Sequence, residues 1–184
     1  MKKFSVAVLV GSLRKDSHNL KLAKALIKLG KDKFDAHIAT IGDLPLFNQD
    51  LEAEFPVTAL RLKQDIEKAD AVLFVTPEYN RNTSSALINA IDWASRPYGK
   101  NSFAKKPAAL CGVSVGAVGT ACAQSGLKPT LYYLDVALMG QPEVYLQFKE
   151  GLIGFDGKIN NADTEKFLQG FVDQFVGWVQ KHLV

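Results

Sequence analysis

Cysteine is scarce in this sequence of 184 residues, which contains only Cys111 and Cys122. Two thiols are too few for a disulfide framework or a zinc cluster, and their spacing matches no metal motif. We therefore expect no metal site and interpret both cysteines as buried, unreactive thiols. A core that needs no cross-links is expected, because a domain of this size buries roughly 70% of its unfolded surface. The sequence thus predicts a single domain over residues 1–184.

The sequence also lacks an excess of charge of one sign and any long hydrophobic run. Its 22 basic and 19 acidic residues leave a net charge of +3, too mild to indicate a nucleic acid or a membrane surface as partner. Apolar segment 4–10 superficially resembles a secretory signal, but it is short and no small-residue cleavage site follows it. No later segment is long enough to span a bilayer. We therefore expect a soluble cytoplasmic protein that binds neither nucleic acid nor membrane.

What the sequence does contain is a regular alternation of strand and helix patterns. Segments 4–10 and 71–75 are continuously apolar and rich in β-branched residues, as strands covered on both faces are. The patterns predict strands at 4–10, 34–41, 71–75, 107–113 and 135–139, and helices at 20–29, 57–68, 121–132 and 163–183, with another helix that follows Thr83 and Ser84 and runs to Ala94. Segment 46–56 is interpreted as an ordered surface loop, and 142–159 as a hairpin-like excursion. This order predicts a three-layer, doubly wound α/β fold.

Ligands of such folds bind where the carboxyl ends of the strands meet the helix starts. The loop after the first strand, 11–19, precedes a helix whose free N–H groups and dipole favour a phosphate. Ser12, Ser17 and Asn19 add short donors, and Arg14 adds a charge-assisted one. The loop lacks the P-loop and Rossmann patterns, which argues against NTP hydrolysis and against NAD bound in the Rossmann manner. A polar connection capped by Ser17 stays open as the alternative.

The loops after the third and fourth strands are less specific. Segment 76–84 places Tyr79 on a turn that begins with Pro77, which suits contact with a flat heteroaromatic ring. Segment 114–119 contains two glycines whose backbone can approach a ligand closely, although an ordinary turn also uses glycine. Together the three loops are expected to surround one crevice.

Three motifs resemble those of the NADPH-dependent FMN reductase family. They are Gly11-Ser-Leu-Arg-x-x-Ser-x-Asn19, Pro77-Glu-Tyr-Asn80, and Asn89-Ala-Ile-Asp-Trp93 followed by Ser95-Arg-Pro97. Their order covers nearly the whole chain, and the chromate and quinone reductases are the most similar subgroup. The resemblance implies a flavodoxin-like fold with a five-stranded parallel sheet in the order 2-1-3-4-5. It also implies an enzyme that passes hydride from NADPH or NADH through bound FMN to a quinone, chromate, an azo or nitro compound, or ferric ion.

The resemblance further implies which residues bind the cofactor. The FMN phosphate is expected at Ser12, Arg14, Ser17 and Asn19 with the backbone of Leu13 and His18, the ribityl chain and ring at Pro77, Glu78, Tyr79 and Asn80, and the pyrimidine side at Ser114 and Gly116. Because hydride passes directly from nicotinamide to flavin, no catalytic side chain is expected. Family members are commonly dimers or tetramers, so we expect a homodimer or homotetramer.

Two arginines and two helix starts need separate interpretation. Arg81 and Arg96 are candidates for attracting an anionic acceptor or the NADPH phosphate, or for contacting a neighbouring subunit, and solvated surface residues are the alternative. Trp93 is interpreted as a packing residue of its helix or of a dimer seam. The chain departs from the family pattern at two helix starts and within the second of these helices, at Ser84 and Ser85, at Thr120 and Cys122, and at Pro129.

Two other classes of function stay open on the sequence alone. A flavodoxin-type electron carrier binds FMN without taking hydride from nicotinamide, but such carriers are usually acidic, whereas this sequence has a pI near 8.8. A flavin-binding regulator without turnover is compatible with the same loops. Neither the acceptor nor the choice between NADPH and NADH follows from the sequence.

Overall fold

The computed structural model describes residues 3–183, and its elements follow the predicted alternation. The strands are β1 (Phe4–Val10), β2 (Phe34–Ile38), β3 (Ala71–Val75), β4 (Pro107–Ser114), β5 (Ala137–Leu138) and β6 (Val144–Gln147), and the helices are α1 (His18–Leu29), α2 (Val57–Lys68), α3 (Ser85–Ala94), α4 (Ala121–Tyr133) and α5 (Ala162–His182). The loop 46–56 contains one turn of 3₁₀ helix, Gln49–Glu52. No helix within residues 3–183 is long and apolar enough to cross a membrane.

The strands form one parallel sheet in the predicted order, β2-β1-β3-β4-β5. The fifth position differs from the expectation, because two short strands share it. β5 pairs with Pro107 and Ala108 at the start of β4, and β6 pairs in parallel with Cys111 to Ser114 at its end. Pro142 lies between the two strands, and a proline has no N–H to donate to the sheet, so the ladder is interrupted there.

β6 lies in segment 142–159, for which the sequence predicts a hairpin-like excursion and no sheet strand. The later part of that segment does form an antiparallel bridge, between Ile153 and Ile159. β6 is only four residues long, and only its first residue is fully buried. Its burial pattern therefore resembles that of a loop more than that of a central strand. The prediction of the excursion is therefore confirmed only around this bridge.

Both faces of the sheet are covered, which explains the continuous apolar strands. In β1, Val6 and Val8 belong to the core that includes α1 and α5. Ala7 and Leu9, which point the other way, belong to the core that includes α2, α3 and α4. The predicted three-layer arrangement is confirmed.

The cysteines and Pro129 allow three local interpretations to be compared with the structure. Cys111 is fully buried in β4, and burial raises the pKa of its thiol. Cys122 is exposed in the first turn of α4, outside the buried stripe of that helix, so the prediction of two buried thiols is wrong for Cys122. Pro129 lies on the exposed side of α4, and the helix continues through it.

Candidate active site

The carboxyl ends of β1, β3 and β4 meet at one edge of the sheet. The connection after β1 leads to α1 on one face and that after β3 leads to α3 on the other, so a crevice opens between them, as expected at a topological switch point. The cleft there is lined by Ser12, Arg14, His18, Asn19, Pro77, Glu78, Tyr79, Val113, Ser114 and Val115. Residues of all three predicted loops thus lie around one cleft. Val113 and Val115 extend the sequence-based set.

The start of α1 forms the side of the cleft next to β1. Ser17 is fully buried, and its hydroxyl oxygen accepts the N–H of Leu20 at 3.1 Å, so it caps the helix rather than lining the cleft. The N–H groups of His18 and Asn19, in the first turn, have no carbonyl partner within the helix. The helix dipole and the guanidinium of Arg14 make this corner positive. It therefore suits an anion such as a phosphate.

Asn19 fastens the start of α1 to the end of β4. Its Nδ2 donates to the carbonyl of Val113 at 2.9 Å, and its Oδ1 accepts the N–H of Val113 at 3.0 Å. Both bonds are buried. The phosphate contact of Asn19 stays a prediction, and this geometry leaves it to the backbone N–H or to the second Nδ2 hydrogen.

The ring of His18 lies at the same corner and contains one nitrogen without a partner. Its ring stacks on Phe148, with centroids 3.8 Å apart and planes inclined by 23°. Within residues 3–183, its Nδ1 is buried without a hydrogen-bond partner. Burial lowers the pKa of the imidazole, and Lys21 and Arg14 lower it further. His18 is therefore largely neutral at pH 7. Phe148, which follows β6, is a neighbour of the site that no sequence pattern indicated.

A tight turn presents Tyr79 at the opposite side of the cleft. The backbones of Tyr79 and Asn82 exchange two hydrogen bonds, of 3.0 and 2.9 Å. The two residues between them, Asn80 and Arg81, have φ of 51° and 62°, which is characteristic of a type I′ turn. Tyr79 is 48% exposed, whereas Asn80 and Arg81 lie outside the cleft lining. Their contacts with a ligand stay predictions.

The side chain of Glu78 is buried at the cleft, and its carboxylate accepts hydrogen bonds from the first turn of α4. Oε2 accepts the N–H groups of Cys122 and Ala123 at 3.0 and 3.1 Å, and Oε1 accepts a hydrogen bond from Arg81 at 3.0 Å. Glu78 therefore caps α4 across 44 positions of sequence. Sequence reasoning missed this role, and its predicted flavin contact stays a prediction.

Ser84 explains how α3 begins without the usual family residues. Its Oγ accepts the N–H of Leu87 at 3.3 Å, which caps α3, and donates to the carbonyl of Gly11 at 2.6 Å. A Cβ on Gly11 would lie 2.8 Å from that same oxygen. The first two loops are thus held directly against each other, and Gly11 is needed for their close approach.

The third loop is fixed at both ends. The N–H of Gly116 donates to Ser114 Oγ at 3.3 Å. Gly119 has φ of 59°, and a Cβ there would lie 2.5 Å from the backbone of Tyr145. Only glycine fits that position. Gly116 lies outside the cleft lining, as does Leu13, which is 59% exposed, so their ligand contacts stay predictions.

The third family motif, which begins at Asn89 and includes Trp93, forms hydrogen bonds to the surface loop that contains Pro45. Trp93 is fully buried, and its Nε1 donates to the carbonyl of Pro45 at 2.8 Å. Asn89 Nδ2 donates to the same carbonyl at 2.9 Å. The interpretation of Trp93 as a packing residue of its helix is confirmed. Arg96 lies over the ring of Phe47, at 5.5 Å from its centroid and outside the cleft lining, and its role toward a substrate stays a prediction.

Comparison with known proteins agrees with this geometry. The model of the family described as NADPH-dependent FMN reductase matches residues 4–151. A 2-hydroxy-1,4-benzoquinone reductase from Burkholderia sp. is 49% identical over 179 residues, which cover 97% of this chain and 98% of the relative. A quinone reductase from Pseudomonas putida is 48% identical over 178 residues, which cover 96% of this chain and 95% of the relative.

A solved structure is equally similar. The flavoenzyme NAD(P)H:(acceptor) oxidoreductase FerB from Paracoccus denitrificans is 51% identical, with a TM-score of 0.94 and coverage of 97% of this chain and 98% of that one. The family predicted from three short motifs is confirmed, together with the enzyme class that it implies. The chain is an oxidoreductase that belongs to the NADPH-dependent FMN reductase family.

Proposed function

We propose that this chain binds FMN in the cleft between α1, the Tyr79 turn and the end of β4, and reduces quinones with NAD(P)H. One observation carries the proposal: an open, positive helix start lies next to an apolar wall at the switch point of the sheet. These residues fit the two ends of FMN, a phosphate and a flat ring.

The residues divide the binding between them. The N–H groups at the start of α1, Ser12 and the guanidinium of Arg14 hold the phosphate. The side chains of Pro77, Tyr79 and Val115 supply apolar surface for the ring. When bound, the flavin supplies the hydride chemistry, accepting hydride from the nicotinamide and passing electrons to the acceptor. The half-exposed Tyr79 leaves this side of the cleft open to solvent and hence to both substrates.

The charge of Glu78 is neutralised within the protein. Its carboxylate contacts the positive end of α4 and the guanidinium of Arg81. The cleft therefore keeps the positive character that Arg14 and α1 give it. Such a cleft attracts both a phosphate and an electron-rich reduced ring.

A quinone is the acceptor that the relatives favour. The Burkholderia and Pseudomonas proteins, which cover nearly the whole chain, are described as reductases of quinones. Chromate, azo and nitro compounds and ferric ion are secondary candidates. The choice between NADPH and NADH is to be measured.

We further propose a single-domain cytoplasmic protein that forms a homodimer or homotetramer. Tyr98 and Tyr133 are 88% and 82% exposed and line one surface hollow with Arg96. Exposed aromatic residues beside an arginine are typical of protein contacts. Arg96 then serves a subunit contact rather than a substrate. Sedimentation of wild type and of a Tyr98→Ser/Tyr133→Ser variant tests this, and a monomeric wild type would contradict it.

The visible spectrum of the purified protein tests the proposed activity first. Prompt bleaching of a flavin spectrum by NADPH without oxygen, followed by reoxidation with benzoquinone, is the expected result. A yellow protein that NADPH does not bleach would favour a flavodoxin-type carrier or a flavin-binding regulator. A colourless protein that takes up no added FMN would overturn the proposal.

A pair of neighbouring variants sharpens this test. Arg14→Gln is expected to bind FMN about tenfold more weakly, because a charge-assisted hydrogen bond to the phosphate is lost. Lys15→Gln removes the same charge from the next residue, which lies outside the cleft lining, and is expected to bind FMN as wild type does. Equal weakening in both variants would indicate general electrostatics rather than a phosphate contact.

A further inference from the structure

Phe148 contacts two walls of the cleft without lining it. Its N–H donates to the carbonyl of Ser114, the last residue of β4, at 2.8 Å. Its ring is stacked on the imidazole of His18, the first residue of α1, with the two ring centroids 3.8 Å apart. Ser114 and His18 both line the cleft. A residue outside the cleft lining thus joins the start of α1 to the end of β4.

This contact holds a part of α1 that the other joint between the two elements does not. The side chain of Asn19 forms two hydrogen bonds to the backbone of Val113, and these bonds fasten the helix itself. They do not fix the direction of the neighbouring His18 side chain. Within residues 3–183, Nδ1 of that imidazole has no hydrogen-bond partner. The ring is therefore held by packing, which the stacked ring of Phe148 supplies.

The segment that follows Phe148 is fastened along α1. Nζ of Lys24 donates to the carbonyl of Phe155 at 3.1 Å and lies 4.0 Å from the centroid of its ring. Lys28, on the next turn of the helix, forms an ion pair with Asp156 at 3.7 Å. Because β6 precedes Phe148 and this fastened segment follows it, the position of its ring is fixed from both sides along the chain.

We infer, on the basis of the proposed FMN site, that Phe148 is a positioning residue that favours FMN over riboflavin. Its ring holds the imidazole of His18 to one side of the corner where Ser12, Arg14 and the start of α1 meet the phosphate. Without the stack, the imidazole gains rotamers that turn it over the helix start. Such rotamers occupy the space that the phosphate needs. Phe148 therefore acts through His18.

Phe148→Leu tests the role of the ring, because it keeps the main-chain bond to Ser114 and removes the stack on His18. Riboflavin is the comparison ligand, since it has the same ring system and ribityl chain without the phosphate. We expect the ratio of FMN affinity to riboflavin affinity to fall about fivefold. Fluorescence titration of the apoprotein with each flavin measures the ratio. Phe148→Tyr keeps an aromatic ring and should have the wild-type ratio.

Two controls separate this effect from general changes of packing and charge. Phe167→Leu makes the same substitution at an exposed phenylalanine of α5 and should leave the ratio unchanged. Lys24→Gln weakens the attachment of the segment at Phe155, so we expect the ratio to fall about twofold. Lys33→Gln removes an ion pair with Asp173 that lies outside this segment, and it should bind both flavins as wild type does.

The outcomes distinguish this inference from the proposed function. If Phe148→Leu weakens both flavins equally or neither of them, the positioning role is wrong and the FMN site stands. A fall in Phe148→Tyr as large as that in Phe148→Leu would also contradict the role of the ring. If Phe148→Leu does not fold, equal ratios in Lys24→Gln and Lys33→Gln overturn the inference. If the wild-type apoprotein binds neither flavin, the proposed function itself fails.

Discussion

Two helix starts lie at the same edge of the sheet, and they differ in how their free N–H groups are satisfied. α1 is capped by the neutral hydroxyl of its own Ser17, and its first turn, His18 to Lys21, contains no acidic residue. α4 is capped by a negatively charged group, because its first N–H groups donate to the carboxylate of Glu78 in the turn after β3. One start is therefore left open toward the cleft, and the other is closed by the protein itself.

The difference teaches where a ligand anion can bind. A helix start attracts negative charge wherever its N–H groups are free, because the dipole and the unpaired donors act together. At α4 that attraction is already satisfied by Glu78. At α1 it is satisfied only in part, and Arg14 strengthens it. The phosphate is expected at α1 for this reason. Removing the carboxylate from the start of α4, or adding one at the start of α1, is therefore expected to change where an anion binds.

The largest effect is expected when the α4 start is opened. Glu78 has only 6% of its side chain exposed, and Glu78→Ala leaves two N–H groups of α4 without their acceptor. We expect a loss of about 3 kcal/mol in the free energy of unfolding, because charge-assisted hydrogen bonds are removed from a buried site. Urea unfolding of the apoprotein measures it.

The same variant also tests the comparison itself. Glu78→Gln retains one acceptor oxygen, and we expect about half of that loss. Inorganic phosphate should stabilise Glu78→Ala more than it stabilises wild type, because α4 then offers a second open start. A Glu78→Ala protein as stable as wild type would show that the carboxylate does not hold α4.

The next effect is expected where α1 is fastened to β4. Asn19→Leu removes both buried bonds to Val113 and leaves its N–H and C=O unpaired. The expected loss is about 2 kcal/mol in the free energy of unfolding, measured with urea. Asn160→Leu, which removes one exposed bond to Gly151, is the control, with an expected change below about 0.5 kcal/mol. Equal losses in the two variants would contradict the role of Asn19.

The two helix starts were not equally readable from sequence. The features of α1 are local: short donors at Ser12 and Ser17 stand directly before a helical pattern, and a cap is recognised from such neighbours. The cap of α4 joins residues 44 positions apart. No pattern around Glu78 or around Thr120 indicates that contact, because only the packing of β3 beside β4 brings the two together.

The sheet shows the same limit. β1, β3 and β4 are buried on both faces, so their composition alone indicates strands. β6 is short and mostly half-exposed, and it is a strand only because the end of β4 offers free backbone groups. Phe148, which follows β6, is placed on His18 by that pairing. The part of the site that depends on β6 could therefore not be predicted.

The next variants change the cap of α1. We expect them to affect stability less than the Asn19 variant does, and a carboxylate cap like that of α4 to weaken FMN binding. Ser17→Ala removes the cap and should cost about 1 kcal/mol of unfolding free energy. Ser17→Asp keeps a good cap but places a carboxylate at the helix start, so FMN should bind at least about tenfold more weakly through repulsion of its phosphate. Fluorescence titration of the apoprotein measures this affinity. Unweakened FMN binding by Ser17→Asp would place the phosphate elsewhere.

The smallest effect is the pH dependence that the partly buried imidazole of His18 gives to the apoprotein. Because the pKa of His18 is lowered on folding, the unfolded chain binds more protons near pH 6.5 than the folded protein does, and stability falls as the pH drops through that region. The carboxylates with lowered pKa, such as Asp43 and Asp173, lose their contribution only at more acidic pH. The difference between the urea midpoints at pH 8 and pH 5.5 should therefore be smaller in His18→Phe than in wild type. The same difference should be unchanged in His37→Gln. Equal midpoint differences in the two variants would show that His18 does not contribute to the pH dependence.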